Sequence, residues 1–264
     1  MARIKQTDKD LLELKGLHLY HHQGSNCAAR IRMALEEKGL KWTGHSINLV
    51  TCEHLKPEYL RINPESCVPA LIHNGFSITG SEDILRYLEE TYPEPSLCTG
   101  TEKEKAEIWR WVDEAAHSHL DTTVSFLYAH KMGRPCAKKH LPIYEKINPE
   151  RARFIKERGY NMSEKQRLEA IAHNHKMFQK LEDNLSRKAY LAGDEFSLAD
   201  IAWGMNIILL ENFGFNFSEY PKVNEWSQKI RQRPAYNDKV RIPKFPQWLI
   251  YCMFKIKRFL YRTV

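Results

Sequence analysis

Over the first 90 residues the hydrophobic positions alternate between period two and the helical period. Leu17 and Leu19 share one face of a short strand, and His21 to Cys27 form a polar loop behind it. Ile31, Ala34 and Leu35 then recur at three and four residues, which predicts an amphipathic helix with Arg30, Arg32, Glu36 and Lys38 on its wet side. Gly39 stops that helix, because glycine takes the left-handed conformation of a helix end without steric cost. Ile47 and Leu49 predict a second strand, and Thr51 to Ile62 a polar connection with a short helical turn. Ala70-Leu71-Ile72 and Phe76-Ser77-Ile78 flank Asn74-Gly75, a pair suited to the tight turn of a hairpin. Ser81-Glu82-Asp83 caps a helix carrying Ile84, Leu85 and Leu88. Tyr92-Pro93-Glu94-Pro95-Ser96 ends it and reads as a linker.

Beyond Thr101 the pattern is helical. Glu107 to His130 places Trp111, Ala115, Leu120 and Val124 at helical spacing, and Gly133-Arg134-Pro135 breaks the run. Residues 134–160 read as polar and irregular, with a short helix after Pro149. Ser163 to Leu185 is a long helix, and Val223 to Arg231 a shorter one stopped before Pro234. Between them, Phe196 to Trp203 opens a buried helix in which Ser197 and Asp200 form a capping box. The fold class expected is therefore α/β plus all-α. A polar extension (1–15) precedes an α/β domain (16–95), an all-helical domain (96–240) and a C-terminal tail (241–264).

Composition changes this picture in two places. The net charge of +7 lies in the tail: residues 239–264 hold seven basic residues and no acidic one, leaving 33 basic against 33 acidic elsewhere. A neutral body is a poor nucleic-acid surface, so no nucleic-acid partner is expected. Pro246 to Arg262 mixes aromatics with cations, which suits either a membrane-surface helix or a terminal helix packed on the second domain. Six cysteines at 27, 52, 67, 98, 136 and 252 form no C-x-x-C pair, which fits free thiols in a reducing, cytoplasmic setting. No apolar run is long enough to span a bilayer, and the N-terminal residues lack the apolar core of a signal peptide. His21-His22, His117/His119 and His173/His175 lack a matching ligand cluster, so they read as solvated positions and no metal site is expected.

The candidate chemistry sits at the first strand-to-helix corner. Ser25 and Asn26 fall where a helix begins, beside unpaired backbone N–H groups and the positive end of the macrodipole, a place suited to an anion. Ser25 also makes a good plain N-cap. Cys27 is the rival reactive group, since a helix-start thiol can be acidic, although a buried inert thiol is the commoner outcome. Trp109, Trp111, Tyr128, Trp203 and Phe213 are core candidates of which a minority would line a substrate pocket.

Taken in order, Ser25-Asn26-Cys27-Ala28-Ala29-Arg30-Ile31-Arg32, Asn63-Pro64, Val68-Pro69-Ala70-Leu71, Ser81 with Ile84-Leu85-Arg86-Tyr87-Leu88, and Phe196-Ser197-Leu198-Ala199-Asp200 resemble the cytosolic glutathione transferase superfamily. The first stretch looks most like the serine-type zeta and phi classes. The insertion at 134–160 is similar to that of bacterial beta-etherase glutathione transferases, which cleave aryl ethers. The resemblance implies a thioredoxin-like first domain, glutathione as co-substrate, a hydrophobic electrophile as second substrate, and a homodimer. By family position Ser25 donates its hydroxyl to the glutathione sulfur, with Asn26 as a second donor and Cys27 as the alternative, reductase-type nucleophile. Val68, before a cis Pro69, pairs with the cysteinyl part, Ser81 holds the γ-glutamyl carboxylate, and His54 reaches the glycyl carboxylate. Two positions depart from the family pattern. Gly80 stands where an acidic or amide residue is usual, with Glu82 as its candidate substitute, and Cys67 stands where lysine or glutamine is common. These departures leave a non-catalytic binding or membrane-associated module as the competing reading.

Overall fold

In the computed structural model, which describes residues 3–130, 138–160 and 162–244, the first domain is built on a mixed five-stranded sheet. Its strands are β1 (Arg3–Lys5), β2 (Leu17–His21), β3 (Trp42–Ser46), β4 (Ala70–His73) and β5 (Phe76–Thr79), in the order β1-β5-β4-β2-β3. β2 and β3 run parallel, and the other neighbours are antiparallel. The associated helices are α1 (Lys9–Leu12), α2 (Asn26–Glu37), α3 (Pro57–Leu60) and α4 (Ser81–Thr91). Strand alternation sorts the core into two layers. Leu17, Leu19, Leu71 and Ile78 join α2 and α4 on one face, while Ala70 and Ile72 meet Leu11, Tyr59 and Ile62 on the other. Asn74 and Gly75 both take positive φ, 50° and 77°, as a two-residue hairpin turn with the right twist requires.

The second domain comprises α5 (Glu102–His117), a π-helical turn (Leu120–Val124), α6 (Ser125–Ala129), α7 (Leu141–Ile147), α8 (Pro149–Phe154), α9 (Glu164–Leu185), α10 (Leu198–Asn212) and α11 (Pro221–Arg231). α10 is apolar nearly all round and buried along its length, packed against α5 and against α2 of the first domain. The Ser197/Asp200 capping box forms as the sequence suggests, and two further boxes join Thr101 to Glu104 at the start of α5 and Ser163 to Gln166 at the start of α9.

Several elements differ from the sequence expectation. The extension 1–15 contributes an edge strand: β1 pairs with β5 (Ile4 opposite Ser77), and Gln6 donates to the Ser77 hydroxyl at 2.9 Å. Arg3-Ile4-Lys5 has no apolar alternation of its own, so the free edge of β5 organises it. The second strand is Trp42–Ser46 and ends before Ile47; it is an edge strand of exposed and half-buried residues, so no hydrophobic alternation marked it. The helix expected over 107–130 starts earlier, at Glu102, and is interrupted after His117. Gly80 rather than Ser81 is the N-cap of α4. Residues 138–160 are largely helical, and Tyr144, Ala152 and Ile155 pack with Leu55 of the first domain in a small core. The wet face expected for α2 is mostly absent. Arg30, Arg32 and Lys38 are buried because the second domain and the linker cover them with carbonyl groups. Lys38, for example, donates to Tyr92 O (2.7 Å) and Pro95 O (2.8 Å) and pairs with Glu89 at 2.8 Å. The tail reading falls largely on residues 245–264, outside the described residues. The chain leading to it is docked, with Arg32 donating to Val240 O and Asn212 to Ile242 O.

Candidate active site

Where β2 gives way to α2, Ser25 is the N-cap, in extended conformation, and its Oγ accepts the Ala28 N–H at 3.2 Å. The cap role expected of a serine here is therefore present, and it leaves room for a second one. An oxygen fixed as acceptor of the capping bond keeps its own hydrogen to donate elsewhere. Ser25 and Cys27 both line a cavity of about 470 Å³ between the two domains, within the range of small-molecule sites. Asn26 does not join them. Its side chain is buried and donates to Asn206 Oδ1 of α10, so its amide is committed to the domain interface. Cys27 is half-buried at the cavity wall, and desolvation pushes its thiol up, with Arg30 opposing.

The remaining sequence candidates come together along the first-domain wall. Val68 and Pro69 line it, joined by a cis peptide bond, and the Cys67 thiol beside them donates to Glu65 O at 3.4 Å. Ser81, the first residue of α4, is buried, and its Oγ accepts from the Arg30 guanidinium at 2.9 Å. Gly80 has φ +82°, and a Cβ there would come within 3.1 Å of Glu82 Oε1. The Glu82 carboxylate thus occupies the space beside position 80. His54 is no solvated loop residue. It is buried at the far end of the cavity, with its Nε2 hydrogen-bonded to Tyr144 Oη at 2.7 Å.

The opposite wall belongs to the second domain: Ala116, His119, Tyr128, Tyr144, Arg151 and Ile155. Tyr144 comes from the part of 134–160 read as irregular, whereas Arg151 and Ile155 lie in and just after the short helix expected after Pro149, which Asn148 caps by accepting the Arg151 N–H at 3.0 Å. Of the five aromatic candidates, Tyr128 reaches this cavity. Trp111 and Trp203 are core, edge to face at 6.3 Å, and Trp109 lies under Arg86. His119, read as solvated, also faces the cavity.

Two family models match the chain: one described as glutathione S-transferase, N-terminal domain, over residues 19–96, and one as glutathione S-transferase, C-terminal domain, over residues 133–234. Glutathione S-transferase F10 of Arabidopsis thaliana is 31% identical over 218 residues, spanning 79% of this chain and 89% of its own length. The chain belongs to the glutathione S-transferase family. Two solved structures share its fold. The beta-etherase LigF of Sphingobium sp. strain SYK-6 superposes with a TM-score of 0.69 at 24% identity, covering 85% of this chain and 98% of the other. A theta class glutathione S-transferase of Xanthomonas axonopodis pv. citri, solved with glutathione bound, gives 0.68 at 21% identity, covering 87% and 100%. Glutathione is the co-substrate the family uses. No helix among the described residues is long and apolar enough to cross a membrane.

In this glutathione S-transferase the residue that sequence reasoning missed most completely is Arg30. Its guanidinium is buried and donates to Ser81 Oγ, Asn206 Oδ1, Ala115 O and Ala202 O at 2.9 to 3.0 Å, with no carboxylate partner among the described residues. Ala115 O belongs to the last turn of α5, where helix carbonyls lack internal partners and the dipole is negative, so the charge is accommodated there. Arg30 thereby ties Ser81 on the cavity wall to Asn206, which also holds Asn26.

Two histidines are held neutral. Burial, then Arg30 and Arg151, push His119 down to about 3, and burial with Arg32 pushes His21 to about 4. Both folded values lie below the unfolded 6.5, so their contribution to stability is full above that pH and is lost as pH falls toward 4. Melting temperature should therefore drop between pH 7 and pH 4.5, and the drop should be smaller in His119→Gln. Parallel curves for the two proteins would refute the assignment.

Proposed function

We propose that this chain binds glutathione in the inter-domain cavity, holds its sulfur as a thiolate at Ser25, and directs it at a hydrophobic, aromatic electrophile, in conjugation or β-aryl ether cleavage. The observation that carries the reading is the Ser25 hydroxyl, pinned by the Ala28 N–H at the mouth of α2 with its hydrogen left for the sulfur. A hydroxyl donor beside a helix N-terminus favours the anion, and the thiolate is the nucleophile. The thiol proton leaves to solvent on ionisation. The sulfur lone pair then forms the S–C bond as the C–halide or C–O bond breaks, and the leaving group departs with its electron pair. Leu49, Val50, Tyr128 and Ile155 give the cavity the apolar lining an aromatic partner needs.

The rest of the tripeptide has complementary groups at hand. Ser81 at the start of α4, whose oxygen accepts from Arg30, can turn the hydrogen it now gives Glu82 Oε2 at 3.4 Å to the γ-glutamyl carboxylate. Glu82, folded beside Gly80, supplies the acidic group that the family usually places one residue before the serine, and receives the γ-glutamyl ammonium. His54, braced by Tyr144, serves the glycyl carboxylate. Glu82 weighs against a non-catalytic module, because it offsets the departure at Gly80. The raised thiol of Cys27 weighs against a cysteine-dependent reductase.

Retention on immobilised glutathione, followed by turnover of 1-chloro-2,4-dinitrobenzene and of a glutathione mixed disulfide, tests the reading. Wild type should be retained and should conjugate the aryl halide in preference to reducing the disulfide. Glu82→Gln should raise KM for glutathione roughly tenfold, the cost of one charge-assisted hydrogen bond. No retention and no conjugation would sink the proposal.

A further inference from the structure

We infer that the electrophile this chain accepts carries an anionic group, a carboxylate or phenolate, received by Arg151 on the second-domain wall of the cavity. The inference rests on the transferase reading and narrows its substrate class. Arg151 is held in place by its surroundings. Asn148 caps α8 through the Arg151 N–H, and the flanking residues Tyr144, Ala152 and Ile155 are buried against Leu55. Among the described residues its guanidinium pairs with no carboxylate, and its side chain meets the Phe154 ring at 6.0 Å, the outer limit of a cation–π contact. Two carboxylates line the same cavity on the facing wall: Glu82 beside Gly80 and Glu65 on an exposed loop. Neither forms an ion pair with Arg151 among the described residues.

A cation facing a partly apolar cavity without a counter-ion is a receptor for an anion, and guanidinium suits a planar carboxylate or phenolate. Glutathione's own anions have other partners in the proposed site. Ser81 and the start of α4 take the γ-glutamyl carboxylate, and the His54–Tyr144 pair takes the glycyl one. The charge of Arg151 bears instead on Cys27, Cys67 and His119, the region where the sulfur would meet its target. An aryl ring there, with its acidic substituent on Arg151, would be oriented for attack by a thiolate held at Ser25.

The test compares two ready-made conjugates, S-(4-carboxy-2-nitrophenyl)glutathione and its carboxamide, by calorimetry. The glutathione part is common to both and cancels in the ratio of affinities. Wild type should prefer the carboxylate about 10- to 100-fold, Arg151→Met should abolish the preference, and Arg151→Lys should keep part of it. Equal affinities in wild type, or a preference that survives Arg151→Met, overturn the proposal. So does a weakened affinity for glutathione itself in Arg151→Met with the preference intact, which would give the guanidinium to the glycyl carboxylate. Turnover of 4-chloro-3-nitrobenzamide is followed in parallel. Its presence upholds the transferase reading whatever the conjugates show, so failure of one reading is distinguished from failure of the other.

Discussion

Ser25→Ala is expected to lower turnover of an aryl halide by about 100-fold, the range seen when one donor to a developing or standing negative charge is removed from an enclosed site. The fall should come with little change in KM for glutathione, because the other groups proposed to hold the tripeptide, Ser81, Glu82, Val68 and His54, lie on other elements. It should also come with a signature that loss of packing cannot produce. Without the hydroxyl the bound thiol ionises at higher pH, so the pH profile of kcat should move upward by about 1 to 2 units. The same substitution removes an N-cap, which costs about 1 kcal/mol and lowers the melting temperature by a few degrees without unfolding the chain. Ser25→Thr, which retains both the capping oxygen and the hydrogen, should recover much of the activity and restore the pH profile. Activity that persists in Ser25→Ala and vanishes in Cys27→Ala would reverse the assignment.

The largest effect on stability is expected at Asp200. Its carboxylate is fully buried and accepts four hydrogen bonds, from Leu191 N (3.0 Å), Ser197 N (2.9 Å), Ser197 Oγ (3.1 Å) and Trp226 Nε1 (2.8 Å). These bonds join the start of α10 to the loop before it and to α11. Asp200→Ala leaves buried donors without an acceptor and opens a cavity, at a cost of about 4 kcal/mol. Asp200→Asn keeps the volume but turns an N–H₂ toward groups that all donate. It should cost about 2 kcal/mol rather than nothing. Urea denaturation of the three proteins at one pH measures both. A loss under 1 kcal/mol for Asp200→Ala would show that the network does not hold the second domain together. Because α10 packs against α2, the same variant should weaken glutathione binding in proportion to the fraction unfolded, an indirect effect separable from that of Ser25→Ala by its denaturant dependence.

The two predictions draw on different kinds of information. Ser25, the Asn74-Gly75 hairpin and the Ser197/Asp200 box were legible in the chain because each is settled within a few residues: a cap oxygen reaches an N–H three positions on, and a turn needs two positive φ angles. The resemblance carried by these local signals was enough to place Val68, Pro69, Ser81 and His54 on one wall of a cavity. The partner of His54 was not legible, since Tyr144 lies 90 residues further along the chain, on a seven-residue helix too short to show a clear period. Asn26 fell outside the expectation for a related reason. Its neighbours in the chain suggest a donor to sulfur, and Asn206 on α10 takes that donor away.

By itself, then, the sequence determined β2, α2, the β4–β5 hairpin and α4 of the first domain, the capping box that starts α10, and the strand-to-helix corner, because hydrogen bonds and periodicities of that range are written locally. Tertiary structure alone decided that Arg30, Arg32 and Lys38 are interior, that Arg3-Ile4-Lys5 is a strand, and that Tyr144 and Arg151 complete the cavity. In each of those cases the deciding group is a carbonyl, a sheet edge or a side chain far away in the chain. A charged residue discloses whether it is wet or buried only when the surface that covers it has folded into place.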